Sequence, residues 1–324
     1  MELSKPGVFF ERPQPEVLSR VGWMGMDLHF HTEYSFDSIA GLDATLRLAK
    51  KMGIGLAMTD HNAVGGALRY SKNRHGVPVI PGIELTGKEG THMIYYFYSA
   101  RELEAAWKKE IKPYLPNPYI PTTRPTLEML RDLSKYNCVI TAPHPYSPGV
   151  VGIKKLTDSD RDLRAVHCVE VINGYNLHGL NLRAIKWRER CGKGATGGTD
   201  GHMVEELGRV ATFCPASNVE EFLDALKKKQ SVVIGEEDRT LRKIVITLLK
   251  EHELVSKSRE YHIAKKLLQG QFHSSNNYYN KKYGSLKRRL NLLFGGHHKE
   301  PGFPKKADKR HPLGGSWTRS EQFG

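Results

Sequence analysis

The chain is poor in cysteine and has no long apolar run. Its four cysteines, Cys138, Cys168, Cys191 and Cys214, stand apart with no C-x-x-C pair. That spacing argues against a zinc ribbon and a disulfide framework, and it makes a reducing, cytoplasmic setting the expectation. No stretch approaches the ~20 apolar residues of a spanning helix. The opening residues, MELSKPGVFFERPQPEV, lack the apolar run and small-residue site of a secretory leader. Acidic residues are short in one region only. Over residues 241–324, 18 Lys and Arg stand against 6 Asp and Glu, whereas the whole chain carries 49 against 35. Most of the net charge of +14 therefore sits in the last quarter. Two parts are expected, a domain at 1–240 and a basic extension at 241–324. A hydrophobic content of 39% with 31 glycines suits a globular core and excludes a disordered chain.

Up to residue 235, short β-rich runs alternate with helix-like segments. The runs are GMDLHF, GIGLAMT (53–59), VPVI (77–80), HMIYYFY (92–98), CVITA (138–142) and CVEVI (168–172). Helical patterns lie at 42–51, 127–135 and 180–190. Repeated β-then-α units predict a mostly parallel sheet, open or closed into a barrel. A further helix over 217–229 opens on Ser217 with Glu220 three residues on, the spacing of a capping box, and runs into the strand SVVIG. Residues 110–126, EIKPYLPNPYIPTTRPT, hold five prolines, each without the donor that a helix or central strand needs. A long stiffened loop of this kind is read either as a wall over a site or as a surface insertion.

The polar residues fall on this map in a pattern. In MDLHFHTEYSFDS, His29 and His31 are two apart, so on a strand both imidazoles leave the same side. Asp37 follows in the next loop. Asp60 and His61 end the second strand, Glu84 follows the third, His92 begins the fourth, His144 follows the fifth, and TGGTDGH supplies Asp200 and His202. Most of these are carboxyl ends of strands, where α/β barrels gather catalytic groups; His92, at a strand's start, departs from that rule. Singly, a TDH is a helix cap, an HP a turn and a lone glutamate a surface charge. Six histidines and three carboxylates recurring at strand edges point instead to a site for zinc, manganese or iron, with more donors than a single four-coordinate ion uses.

The order DLHFHTEYSFD, GLAMTDHN, VIPGIEL, THMIYYF, TAPHP, VEVING and TGGTDGH resembles the polymerase-and-histidinol-phosphatase (PHP) superfamily over residues 25–235. The resemblance implies an α/β fold, a distorted (βα)7 TIM-like barrel with two or three divalent ions (Mn, Zn or Fe) at its mouth. It assigns His29, His31, Glu84 and Asp200 to a first ion, and Glu84 as a bridge with His92 and His144 to a second. Asp37, His61 and His202 fall to a third; some members carry histidine at the position of Asp37. Three other histidines, His75, His167 and His178, match no ligand position and are read as ordinary surface or loop residues. The turn NGYN at 173–176 is read as structural.

Clustered divalent ions suit phosphoester hydrolysis, because they polarise phosphoryl oxygens and generate hydroxide near neutral pH. The expected activity is thus a metal-dependent phosphoesterase, phosphatase or exonuclease-like, acting through a metal-bridged hydroxide. His61 or His202, where not committed to metal, would protonate the leaving group, and Arg209 is a candidate contact to substrate phosphate or a plain salt bridge. The expected substrate is a nucleotide or single-stranded nucleic acid. The alternatives are a small-metabolite phosphatase of the histidinol-phosphatase type and a non-catalytic PHP module that binds nucleic acid or serves as a scaffold.

The extension sharpens the nucleic-acid reading. Leu254, Tyr261, Ala264 and Leu268 lie near helical spacing, so one docked helix is expected, followed by a Gly- and Pro-punctuated, partly flexible remainder. Tyr278, Tyr279, Tyr283 and Phe294 are interleaved with the basic clusters, a mix suited to binding RNA or single-stranded DNA. A solvated tail with no dedicated partner, and an anionic membrane surface, are the competing readings.

Overall fold

The apolar runs become strands of one curled sheet in a computed structural model that describes residues 7–72, 76–148 and 151–237. The strands are β1 (Val8–Phe9), β2 (Trp23–Phe30), β3 (Gly55–Met58), β4 (Val79–Thr86), β5 (His92–Phe97), β6 (Cys138–Ala142), β7 (Cys168–Asn173), β8 (Gly194–Gly198), β9 (Val210–Pro215) and β10 (Val232–Gly235). The helices are α1 (Pro15–Ser19), α2 (Leu42–Met52), α3 (Gly65–Lys72), α4 (Ala100–Ala106), α5 (Thr126–Leu133), α6 (His178–Cys191) and α7 (Val219–Lys227). The ten strands follow the order β1-β10-β9-β2-β3-β4-β5-β6-β7-β8. The far end curls back: Phe30, at the end of β2, bridges in parallel to Gly201, just beyond β8. The α/β class and the curl agree with a barrel of the PHP type.

The sheet is less parallel than the alternation predicts. β4 pairs antiparallel with β5, β5 with β6, and β9 with both β2 and β10. For β4 and β5 the physical reason is chain length. Only residues 87–91 join β4 to β5, and a parallel crossover needs a dozen or more. A hairpin forms there and no helix intervenes. The consequence reaches the site. Because β5 runs backwards, its first residue lies at the same rim as the last residues of the parallel strands, which is why His92 belongs with the strand-end donors.

One face of the sheet is graded from apolar to polar. Met26, Leu28, Ile80, Ile94, Tyr96 and Val139 pack with Phe222, Leu223 and Leu226 of α7. Four residues beyond Ile80 on the same side of β4 stands Glu84, and two before Ile94 on β5 stands His92. On β2 the handover needs an irregularity. Asp27 pairs with Leu56 and Phe30 with Met58, so β2 holds one residue more than β3. Such a bulge re-aims side chains: Leu28 packs below, while His29 and His31 join Glu84 above.

Local chemistry shifts one predicted boundary. The cap of α7 is Asn218, whose side chain accepts from Glu221 N–H at 2.9 Å, while Glu221 accepts from Ser217 N–H at 2.8 Å. The reciprocal cap thus falls one residue later than the Ser217/Glu220 pair, because an asparagine amide caps as well as a serine hydroxyl. The proline-rich segment passes from a π turn (Trp107–Ile111) through a 3-10 turn (Lys112–Tyr114) to an irregular stretch. It is tied to the site rim, as Asn62 Nδ2 donates to Ile120 O at 3.2 Å and Thr122 N–H to Thr86 O at 2.9 Å. His75 and the basic extension at 241–324 lie outside the described residues. No helix among the described residues is long and apolar enough to cross a membrane.

His167, read as an ordinary loop residue, has a structural task. Its Nδ1 accepts from Ile140 N–H at 3.0 Å, which requires the neutral ring. Burial, then Lys227 and Lys193, push its pKa down to about 4. The unfolded imidazole titrates near 6.5, so the unfolded chain takes up this proton first. Stability is therefore lost as pH falls from about 6.5 towards 4. For a partly exposed ring the effect is about 1 kcal/mol after allowing for solvent screening. His167→Gln is expected to lose less stability than the wild type between pH 7 and pH 5, read from urea midpoints. Parallel pH profiles for the two proteins would contradict this role.

Candidate metal centre

Glu84 stands at the centre of the polar rim. It is fully buried, and its two oxygens face different partners. Oε2 lies 3.1 Å from His29 Nε2, 3.3 Å from His31 Nε2 and 3.2 Å from His61 Nδ1. Oε1 lies 3.0 Å from both His92 Nδ1 and His144 Nε2. Asp200 Oδ1 completes the first side, 3.5 Å from His29 Nε2 and 3.3 Å from His31 Nε2. Asp37 lies apart from Glu84, with Oδ2 at 3.0 Å from His202 Nε2 and 3.6 Å from His61 Nε2.

All nine predicted donors therefore meet. Among the described residues they form four overlapping groups with ligand atoms within 4.8 Å of one another: His31–Asp37–His61–His202, His29–His31–Asp200, His29–Glu84–His144 and His61–Glu84–His92. The first contains the whole of the expected third site, with His31 added. Glu84, His92 and His144 do not form one of these groups, although both histidines reach the same glutamate oxygen. Arg209 belongs to none of the four. Its backbone accepts from Glu236 N–H and donates to Glu206 O, just ahead of β9.

Several residues that hold the donors in place are not among the predicted ligands. Glu170, buried on β7, accepts from His29 Nδ1–H at 2.9 Å, from His144 N–H at 2.7 Å and from Asn173 Nδ2 at 3.0 Å. Asn173 reaches Asp200 Oδ2 at 3.2 Å as well, so the turn read as structural also steadies a donor. Asp27 takes Thr199 N–H, the Thr199 hydroxyl and Gly208 N–H, and thereby pins the strand end that leads to Asp200. Asp60 holds Thr32 through its backbone and hydroxyl, and Ser35 donates to Asp37 Oδ1 at 2.8 Å. The one signal available was a charge inside an apolar strand: the glutamate of CVEVI and the aspartate of GMDLHF. A buried charge implies a partner, but sequence does not say which.

The backbone is also constrained here. Asn62, His144 and Asp200 adopt φ values of +48°, +26° and +54°, a region that side chains other than glycine rarely enter. Each adjoins or carries a donor, and strain of this kind collects at functional sites. Gly198 answers a different need. A Cβ there would run into the backbone of His29, and Asp200 N–H donates to His29 O at 2.8 Å.

Electrostatics set the donors against one another. Burial raises the pKa of Glu84, but His29, His61, His92 and the His144 contact together hold it well below the carboxylate range. Burial lowers His31, and against it the contacts to Asp200 and Glu84 lift its pKa to about 9. At His61 burial prevails and drives the pKa well down. Burial also raises Asp27 and Asp60 to about 6. The donor set fits divalent ions on a further ground. Nδ1 of His31 and Nδ1 of His144 are buried without a hydrogen-bond partner, a costly arrangement for protein alone, while His31 Nε2 and His61 Nδ1 face carboxylate oxygens at 3.2–3.3 Å without hydrogen-bond geometry. Mixed imidazole and carboxylate donors suit zinc, manganese and iron.

The PHP domain family matches residues 27–167 and the PHP-associated family residues 178–231, together more than half of the chain. The chain belongs to the PHP superfamily. A 70-residue stretch is 40% identical to an error-prone DNA polymerase of Symbiobacterium thermophilum, covering 20% of this chain and 6% of that polymerase. Among solved structures, PsfC from Pseudomonas syringae PB-5123 is 19% identical with a TM-score of 0.50, covering 73% of this chain and all of PsfC. The lesion-specific endonuclease PfuEndoQ from Pyrococcus furiosus is 18% identical with a TM-score of 0.52, covering 65% of this chain and 57% of the endonuclease. At these identities the two structures share the fold.

Proposed function

We propose that the chain is a metal-dependent phosphoesterase whose substrates are nucleotides or oligonucleotides, working at the mouth of a distorted (βα)7 barrel. The observation that carries this reading is the division of Glu84 between two sets of imidazoles, one on each carboxylate oxygen. That is the arrangement of a bridging carboxylate. In it His29, His31 and Asp200 would hold a first ion with Glu84, His92 and His144 a second with Glu84, and Asp37, His61 and His202 a third. The ions, when bound, supply Lewis acidity to the phosphoryl oxygens and lower the pKa of a water. The reaction adds water across the P–O ester bond, and the departing oxygen takes a proton. His61 and His202 flank Asp37, and where they are not committed to the third ion they are the candidate proton donors. Arg209 remains the candidate for a substrate phosphate.

The nucleotide preference rests on the basic extension, outside the described residues, and on the class of relatives: a DNA polymerase and a lesion-specific endonuclease. Chelator treatment is expected to abolish hydrolysis of nucleotides and short RNA or DNA, with manganese or zinc restoring it. Asp200→Ala and His31→Ala should each be inactive yet folded by circular dichroism. Unchanged hydrolysis in both variants would dismiss the metal reading. Tight nucleic-acid binding without turnover in the metal-loaded wild type would favour the non-catalytic module.

A further inference from the structure

The donor cluster has an aromatic margin on one side. The Phe36 ring stacks on His61 with centroids 5.3 Å apart and planes 26° apart, and His61 stacks in turn on His31 at 4.4 Å. The Tyr119 ring lies 5.9 Å from that of Phe36. Both aromatics are half-buried, so each presents ring surface at the rim beside the buried imidazoles.

Tyr119 is held there by construction. It lies between Pro118 and Pro121, whose fixed φ angles stiffen the segment. Its N–H donates to Asn117 Oδ1 at 2.9 Å. The next residue is fastened by Asn62, the neighbour of His61. Asn62 Nδ2 donates to Ile120 O, its Oδ1 accepts from Thr86 N–H at 3.0 Å, and its own N–H donates to Glu84 O at 2.9 Å. One asparagine in a left-handed conformation thus links the donor strand and the proline-rich segment. A segment intended only to cover the barrel would not need an aromatic aimed at the ring that stacks on a donor histidine.

We propose that Phe36 and Tyr119 form a subsite for the nucleobase of the nucleotide whose phosphate lies at the cluster, with Asn62 as its positioning residue. The inference rests on the phosphoesterase reading and adds the part of the substrate that is recognised besides the phosphate. Aromatic rings stack on every base, so the subsite favours nucleotides over aliphatic phosphates without selecting one base. Preorganisation by the prolines and by Asn62 lowers the ordering cost of binding.

The test is calorimetric titration of the manganese-loaded full chain with adenosine monophosphate, glycerol phosphate and inorganic phosphate. The wild type should bind adenosine monophosphate more tightly than either aliphatic or inorganic phosphate. Phe36→Ala and Tyr119→Ala should each weaken the nucleotide by roughly 10-fold, the loss expected of one stacked base, and leave the two phosphates unchanged. Tyr119→Phe should retain nucleotide binding. Metal content, measured on each protein, detects disturbance of His61 by the Phe36 change; where it falls, Tyr119→Ala decides. Equal binding of nucleotide and glycerol phosphate by the wild type, or equal weakening of all three ligands in the variants, would overturn the subsite. Aromatic-dependent nucleotide binding in a protein that hydrolyses no phosphoester would keep the subsite and dismiss the enzyme. Hydrolysis with no preference for nucleotides would do the reverse.

Discussion

Glu84→Gln is expected to lose metal and to lower phosphoester turnover by roughly 10³-fold or more. The substitution keeps the size of the side chain and removes its charge. One end becomes an amide N–H₂, which cannot accept from or ligate alongside the imidazoles around it. Because Oε2 faces His29, His31 and His61 while Oε1 faces His92 and His144, either orientation of the amide damages one of the two sets. Asp37→Asn changes a carboxylate that pairs with His61 and His202 on one oxygen, and should cost less, roughly 10- to 100-fold, with partial loss of metal. Metal analysis and residual turnover on the two variants rank them. A Glu84→Gln protein that retained its full metal complement would remove Glu84 from the bridge.

Glu170→Gln should be the most damaging change at a residue that touches no other carboxylate of the cluster. The Glu170 carboxylate accepts from His29 Nδ1–H, which would leave the Nε2 lone pair for an ion held together with Glu84 and Asp200. A glutamine that keeps the His144 N–H bond through its oxygen must offer N–H₂ to His29 Nδ1. The imidazole then protonates on Nε2, the nitrogen that ligation requires. Partners of this kind fix the tautomer of a ligand histidine, and their loss costs roughly 10- to 100-fold in metal affinity or activity. The readouts are metal affinity in a competition titration and nitrogen chemical shifts of His29, which report the tautomer directly. An unchanged tautomer with weakened affinity would leave Glu170 with a packing role only.

How much of the site the sequence discloses follows from the kind of information each residue carries. His29, His31, Asp37, His61, Glu84, His144, Asp200 and His202 stand out because imidazoles and carboxylates at the ends of apolar runs are costly to bury without a partner. His92 carries the same chemistry in the wrong place for a parallel strand. It joins the rim only because the five residues 87–91 force β5 to run backwards. Glu170 is the opposite case, correctly placed but hidden inside CVEVI, where its partners lie on β2 and in the loop after β6. The shift from Ser217 to Asn218 at the start of α7 reflects two adjacent residues of equal capping strength, between which periodicity cannot choose.

The alternation of strands with helices, the donor chemistry and the position of the proline-rich segment were determined by the amino-acid sequence alone, since each depends on local composition and spacing. The direction of β5, the extra residue in β2, the sharing of Glu84 between two sets of histidines, the tautomer set by Glu170 and the placing of Tyr119 beside Phe36 were decided by the tertiary structure. These rest on distances of about 3–6 Å between groups as far apart in the chain as His29 and Glu170. Local periodicity specifies which face a side chain leaves by; strand register and curl specify what it meets there.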